Sequence, residues 1–176
     1  MTEKEFKKEI ARFALRHASV IVPAAAGLVV FSADQLFKDS VEKRPDDIFP
    51  HAVSKKLPAL TLRKLHNDGF ALGVGKNHPK LTKAAPLLST GLLAGMFAAK
   101  PGKNVVETIG GSVLLAGAAS NIYDRFRKGY VVDYLHVGKG PLGKIVFNLG
   151  DAAIAAGAIG SLAGLVPPKK HKPHET

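Results

Sequence analysis

The stretch whose reading decides the fold is Ser120–Val137, "SNIYDRFRKGYVVDYLHV". It carries two aspartates, Asp124 and Asp133, and Asp124 closes an apolar run, residues 105–123, whose only charge is Glu107. A carboxylate placed where an apolar segment stops is costly, because its charge loses hydration unless a partner or a proton replaces it. The rest of the chain shows what such a group is for.

Polar and apolar residues are segregated along all 176 positions. Residues 18–33, "ASVIVPAAAGLVVFSA", and 84–99, "AAPLLSTGLLAGMFAA", carry no charge, and 145–166 carry only Asp151. With 105–123 this makes four apolar segments, separated by a basic start, a polar stretch over 34–83 with ten Lys and Arg, and two shorter connections. A span takes about 20 apolar residues, with about 17 as the lower end. Four helices of a soluble bundle would each need a polar stripe, and none of these segments has one. Gly91–Gly95 and Gly160–Gly164 also have the spacing that lets membrane helices approach closely. The fold class expected is therefore a membrane all-α protein of one domain. Four transmembrane helices lie near 18–33, 84–99, 105–123 and 145–166, and 167–176 form a disordered tail. A cleaved leader fits the first segment less well, since Phe31 stands where the cleavage site wants a small residue.

Between the first two segments the pattern changes. In "ALTLRKLHNDGFALGVG", residues 59–75, apolar residues alternate on both sides of Asn67-Asp68-Gly69, a tight-turn signal. This predicts a small hairpin outside the bilayer. The nearby "GVGKN" is not a phosphate loop, because Asn77 replaces the required Ser or Thr and no strand–loop–helix context exists. The chain has no cysteine, which excludes a thiolate metal site, and its seven histidines are scattered with no ligand pair on a helix. The net charge of +11 suits nucleic acid or an anionic membrane. Because the charges sit in loops between uncharged spans, nucleic acid is the weaker alternative.

Asp124 and Asp151 both fall where the chain leaves and re-enters the third and fourth segments, on one side of the membrane. An ionisable group at membrane depth is a functional candidate. If the two helices pack side by side the carboxylates meet, and a close pair keeps one proton between them. That is the equipment of an aspartic peptidase, in which the ionised member takes a proton from water and the protonated one polarises the scissile carbonyl. Ser120 has no candidate base at similar depth, so a serine mechanism does not compete.

Four blocks in order then resemble the lipoprotein signal peptidases, bacterial signal peptidase II. They are "DQLFK" at 34–38, "NDGFALG" at 67–73, "SNIYDRFRKGYVVDYL" at 120–135 and "FNLGDAAI" at 147–154. The resemblance implies an endopeptidase that removes signal peptides from diacylglyceryl-modified prolipoproteins, with Asp124 and Asp151 as catalytic aspartates. It implies that Asn121 and Asn148 orient the pair or the substrate, while Asp34, Lys38, Asn67, Gly69 and Arg125 support the site. It also implies a bacterial cytoplasmic membrane protein with four transmembrane helices, both termini cytoplasmic and a small extracytoplasmic β-subdomain near 38–80 between helices one and two, working as a monomer among membrane lipids, without metal or cofactor. Gly150 stands where the family usually has Ala, and Ser120 where it usually has Gly. With cytoplasmic termini, Lys and Arg number ten inside and fifteen outside, so charge counting alone opposes that orientation, while the basic start of the first helix favours it. A non-catalytic protein of the same fold that binds lipidated peptides is the alternative, and it would have no need of both carboxylates.

Overall fold

The computed structural model describes residues 1–70, 74–99, 104–138, 143 and 145–163, except for the side chains of 14–16. The expected tail, Gly164 and the connection 100–103 lie outside the described residues. Among the described residues the helices and strands are α1 Glu3–Glu42, β1 His51–Ser54, β2 Leu57–Asn67, α2 Pro79–Ala99, α3 Val105–Arg127, β3 Val131–Val137, β4 Val146–Phe147 and α4 Leu149–Ala163, with a short 3-10 turn at Asp46–Ile48.

Local chemistry sets the helix ends. Thr2 and Glu5 form a reciprocal capping box that starts α1. The helix runs 40 residues, about 60 Å, twice the thickness of a bilayer core, so it extends well beyond the 18–33 segment. Pro23 lies inside it, and its carbonyl accepts a bond from the Ser112 hydroxyl of α3. Pro79 opens α2, where its missing N–H costs nothing. Asn104 caps α3, accepting from Glu107 N at 2.9 Å. That helix stops before Gly129, whose φ of +93° turns the chain into β3. Among the described residues three helical stretches, His17–Glu42, Pro79–Ala99 and Val105–Arg127, are long and apolar enough to cross a membrane. Helix α4 is apolar but shorter, 15 residues in its described part.

The four strands form one antiparallel sheet in the order β1-β2-β3-β4. The hairpin expected across Asn67-Asp68-Gly69 includes residues 71–73, which lie outside the described residues. The hairpin that the described residues form is β1–β2. Ser54 pairs with Leu57, so Lys55 and Lys56 make the β1–β2 turn, and Asn67 ends β2. The subdomain also draws β3 and β4 from the connection between α3 and α4. Register places Leu65 opposite Asp133 and Asn67 opposite Val131.

The burial pattern is inverted relative to a soluble domain. Buried polar residues include Asp34, Lys38, Ser120, Asn121, Asp124, Arg125, Asp133 and Asn148, while Leu28, Leu36, Leu88, Leu92 and Ile159 are more than half exposed. Apolar side chains facing outward around a polar interior are what a lipid surround demands.

Helices α3 and α4 pack antiparallel through glycines seven residues apart on each. Gly110 meets Gly157 and Gly117 meets Gly150 so closely that a Cβ on Gly157 would lie 2.5 Å from the Gly110 carbonyl oxygen. Close backbone approach is therefore carried by these pairs and not by the Gly91–Gly95 pair, which has nothing within 4 Å of either added Cβ. Gly117→Ala is expected to destabilise the protein by about 1–3 kcal/mol, since the added methyl meets backbone that cannot yield. Gly91→Ala is expected to be neutral or to gain up to about 1 kcal/mol. Thermal unfolding of both variants in detergent checks the contrast.

Candidate active site

The site is organised by the start of α4. Asn148 stands at the N-cap position and Asp151 three residues on. Asp151 N donates to Asn148 Oδ1 at 2.8 Å, and Asn148 N donates to Asp151 Oδ2 at 3.2 Å. This is a capping-box arrangement with Asn and Asp in the two roles. The same motif that begins the helix thus fixes the Asp151 carboxylate. Its other oxygen, Oδ1, accepts from Asn121 Nδ2 of α3 at 2.8 Å.

A second carboxylate approaches from β3. Asp133 Oδ1 accepts from Asn148 Nδ2 at 2.8 Å, and Oδ2 accepts from Asn67 Nδ2 at 2.9 Å. Asn148 therefore bridges Asp133 and Asp151 directly. Asn67 is held in turn by an Asx turn, its Oδ1 accepting from Gly69 N at 3.0 Å. Arg125 of α3 donates to the Gly69 carbonyl at 2.9 Å and to the Asn121 carbonyl at 3.3 Å. Its buried Nε has no hydrogen-bond partner among the described residues.

These groups line one cleft of about 250 Å³. Asn67, Asn121, Arg125, Asp133 and Asp151 supply its polar wall, and Phe70, Val131, Ile145, Val146, Phe147 and Ile154 its apolar wall. Asp133 is 2% exposed, and burial, followed by the neighbouring Asp151 charge, pushes its carboxyl up to about 6 against the bonds from Asn67 and Asn148.

Asp124 sits elsewhere. It is absent from the cleft wall and has no solvent exposure. Its Oδ2 lies 3.4 Å from Lys38 Nζ and accepts from Val132 N at 3.2 Å, while Oδ1 lies 3.2 Å from Lys128 Nζ and 3.4 Å from Gln35 Nε2. Four donors, two of them ammonium groups, surround it. The geometry thus separates Asp124 from Asp151, which the sequence had paired, and brings Asp133 to Asp151 instead. Asp133 stands in the same opening stretch, in a β-like run outside the four apolar segments. The signal that finds it is a carboxylate inside "VVDYL", a run buried along nearly its whole length.

Behind the cleft lies a second polar cluster. Lys38 Nζ contacts Asp34 Oδ2 at 2.7 Å, Asn121 Oδ1 at 2.8 Å and Ser120 Oγ at 3.3 Å, and Ser120 Oγ donates to Asp34 Oδ2 at 2.6 Å. Lys38 fixes which end of the Asn121 amide faces Asp151. Asp34 and Lys38 thus support the site without entering the cleft.

The family model described as Signal peptidase (SPase) II matches residues 26–166. The chain belongs to the signal peptidase II family. It is a membrane peptidase that removes signal peptides from prolipoproteins. A lipoprotein signal peptidase of Pseudoalteromonas translucida is 34% identical over 123 residues, 66% of this chain and 74% of that protein. The lipoprotein signal peptidase of Moorella thermoacetica is 31% identical over 134 residues, covering 75% and 84%. A solved structure, described as a bacterial membrane enzyme determined by the in meso method at 1.9 Å, is similar with a TM-score of 0.72 at 22% identity. It covers 86% of this chain and 96% of the other. At that identity the likeness speaks for the fold.

The raised Asp133 carboxyl has a consequence for stability. The folded protein favours its protonated form, so this contribution is complete below about pH 4 and is lost as pH rises through about 6, a change of up to about 3 kcal/mol. Unfolding measured from pH 4 to 7 should show the peptidase losing stability relative to Asp133→Asn as pH rises. A difference that does not vary with pH would contradict the assignment.

Proposed function

We propose that Asp133 and Asp151 are the water-activating pair of this peptidase, and that Asp124 is a structural ion-pair partner. The observation that carries the reading is that Asp133 and Asp151 come from different elements, line one cleft and are bridged by Asn148. In the mechanism that follows, the pair holds one proton. Asp151, ionised, takes a proton from a water whose oxygen attacks the scissile carbonyl carbon. Asp133, protonated, donates a hydrogen bond to the carbonyl oxygen. The tetrahedral intermediate then breaks its C–N bond as a proton passes to the leaving nitrogen, and the pair returns to its singly protonated form. Asn67, Asn121 and Asn148 hold the carboxylate oxygens in place throughout, which leaves little reorganisation for the reaction itself. The free Nε–H of Arg125 is a donor for a backbone carbonyl of the substrate.

The substrate class that fits is the diacylglyceryl-modified prolipoprotein. The apolar wall of Phe70, Ile145, Val146, Phe147 and Ile154 suits a signal-peptide chain entering from lipid. The chain would work in the bacterial cytoplasmic membrane with α4 as a fourth, short span, the sheet on the outer face and the N-terminus cytoplasmic. Every group named comes from one chain, so a monomer suffices, with membrane lipids as its surroundings.

Two expected outcomes test this. Asp133→Asn and Asp151→Asn should each lose at least about 10³-fold in cleavage of a lipidated prolipoprotein peptide in detergent. Asp124→Asn should retain catalysis by whatever fraction stays folded, while losing about 3–5 kcal/mol of stability, because it leaves Lys38 and Lys128 undercompensated. Full activity in Asp133→Asn, or a folded but inactive Asp124→Asn, would reverse the assignment. For orientation, a cysteine placed at Asp47 should react with a membrane-impermeant thiol reagent in intact cells and one at Thr2 should not. The opposite labelling would invert the topology.

A further inference from the structure

Tyr134 follows Asp133 on β3, so its side chain points to the opposite face of the strand, away from the cleft. Its ring is 2% exposed, stacks on Phe37 of α1 at 5.9 Å and packs with Val41 and Val132. Packing alone would be served by phenylalanine. The hydroxyl does more: it donates to Asp34 Oδ1 at 3.1 Å and accepts from Leu149 N at 3.1 Å. Leu149 is the first residue of α4, and its N–H is one of the donors that a helix start leaves without an intrahelical partner.

The two bonds close a circuit. From Tyr134 it runs to Asp34, from Asp34 to Lys38 at 2.7 Å, from Lys38 to Asn121 at 2.8 Å and from Asn121 to Asp151 at 2.8 Å. The backbone of α4 then leads from Asp151 through Gly150 to Leu149 and so back to Tyr134. Gly150 lets the circuit draw tight, since a Cβ there would lie 2.9 Å from Asp34 Oδ2. Asp151 is thereby held from its carboxylate by Asn121 and from its backbone by the Tyr134 hydroxyl. Burial and the adjacent Asp34 charge push the Tyr134 phenol up, so it remains a donor at any working pH.

We infer that the Tyr134 hydroxyl is a positioning residue for the cleavage reaction, fixing the first turn of α4 and with it the spacing of Asp151 from Asp133. The inference rests on the Asp133–Asp151 reading given above. Tyr134→Phe keeps the ring and removes both bonds. A turn released in this way lets the two carboxylates separate, and a wider pair repels less. Its two protonation steps then move closer together and the bell-shaped pH profile of kcat narrows.

The test measures cleavage of a lipidated prolipoprotein peptide across pH, together with thermal unfolding, for the wild type, Tyr134→Phe, Phe37→Leu and a protein with 3-fluorotyrosine at position 134. Tyr134→Phe should lose about 10-fold to 100-fold in kcat with KM within about twofold, and its pH profile should narrow. Phe37→Leu, which removes the stacking and keeps the hydroxyl, should lower the unfolding temperature and leave kcat and the profile unchanged. A Tyr134→Phe protein that unfolds earlier but keeps the wild-type kcat and profile would overturn the inference. Should Tyr134→Phe not fold, 3-fluorotyrosine decides, because it keeps the ring and makes the phenol a stronger donor and weaker acceptor. A changed kcat or profile at unchanged stability supports the inference, and no change overturns it. Asp133→Asn in the same assay separates the two ideas. If it cleaves normally, the carboxylate pair falls and this inference with it; if it is inactive while the position-134 variants match the wild type, only the role of Tyr134 falls.

Discussion

The Lys38 ammonium, held without solvent exposure against Asp34, Ser120, Asn121 and Asp124, is the interaction on which the rest of the molecule depends. An unpaired ammonium in such a setting would cost several kcal/mol, so its position is possible only with its partners in place. Those partners tie α1 to α3, and through Tyr134 and Val132 the two carboxylates of the cluster also reach β3. The cluster is therefore a test of correct assembly: helices packed one turn out of register would bury charges with nothing opposite them. A structural pair of this kind does not maximise stability. Lipid provides no hydrophobic force between helices, so packing and polar contacts such as these hold α1 against α3.

The geometry of the cleft is built onto that frame by ordinary local rules. The start of α4 needs acceptors for its free N–H groups, and Asn148 and Asp151 supply them reciprocally. The end of β2 needs a turn, and Asn67 supplies it while its amide reaches Asp133. Close contact of glycines on α3 and α4 brings Asn121 within 2.8 Å of Asp151. Each carboxylate oxygen of the cleft pair thus receives a hydrogen bond from a residue that also has a structural task. This double use explains why asparagines cluster around the pair. Their amides donate at one end and accept at the other, so they can link a helix cap to a carboxylate without adding charge to a site that already holds two acidic groups and Arg125.

Three of the spans, the membrane character and the family were legible in the sequence because they rest on properties that run along the chain. Uncharged segments of span length need no tertiary partner to be recognised. Blocks such as "NDGFALG" and "FNLGDAAI" keep their order whatever the packing. The Asn148–Asp151 relation was also legible, since residues three apart at a helix start are neighbours by local geometry alone. What the sequence could not decide was which carboxylates meet. Asp124 and Asp133 stand nine positions apart in one stretch, and both are nearly or fully buried. Their surroundings differ because α3 turns at Gly129 into a strand, which brings Asp133 to Asn148 at the start of α4 and leaves Asp124 among Lys38, Lys128 and the Val132 amide. The pairing of β2 lay out of reach for a related reason. The partner of β2 on one side is β3, more than sixty residues away, and no local turn signal encodes a pairing of that range. Spans, caps and motifs are properties of neighbouring residues, and the sequence by itself determined them. The pairing of charges in a low-dielectric interior depends on which elements the fold lays side by side, and only the tertiary structure decided that.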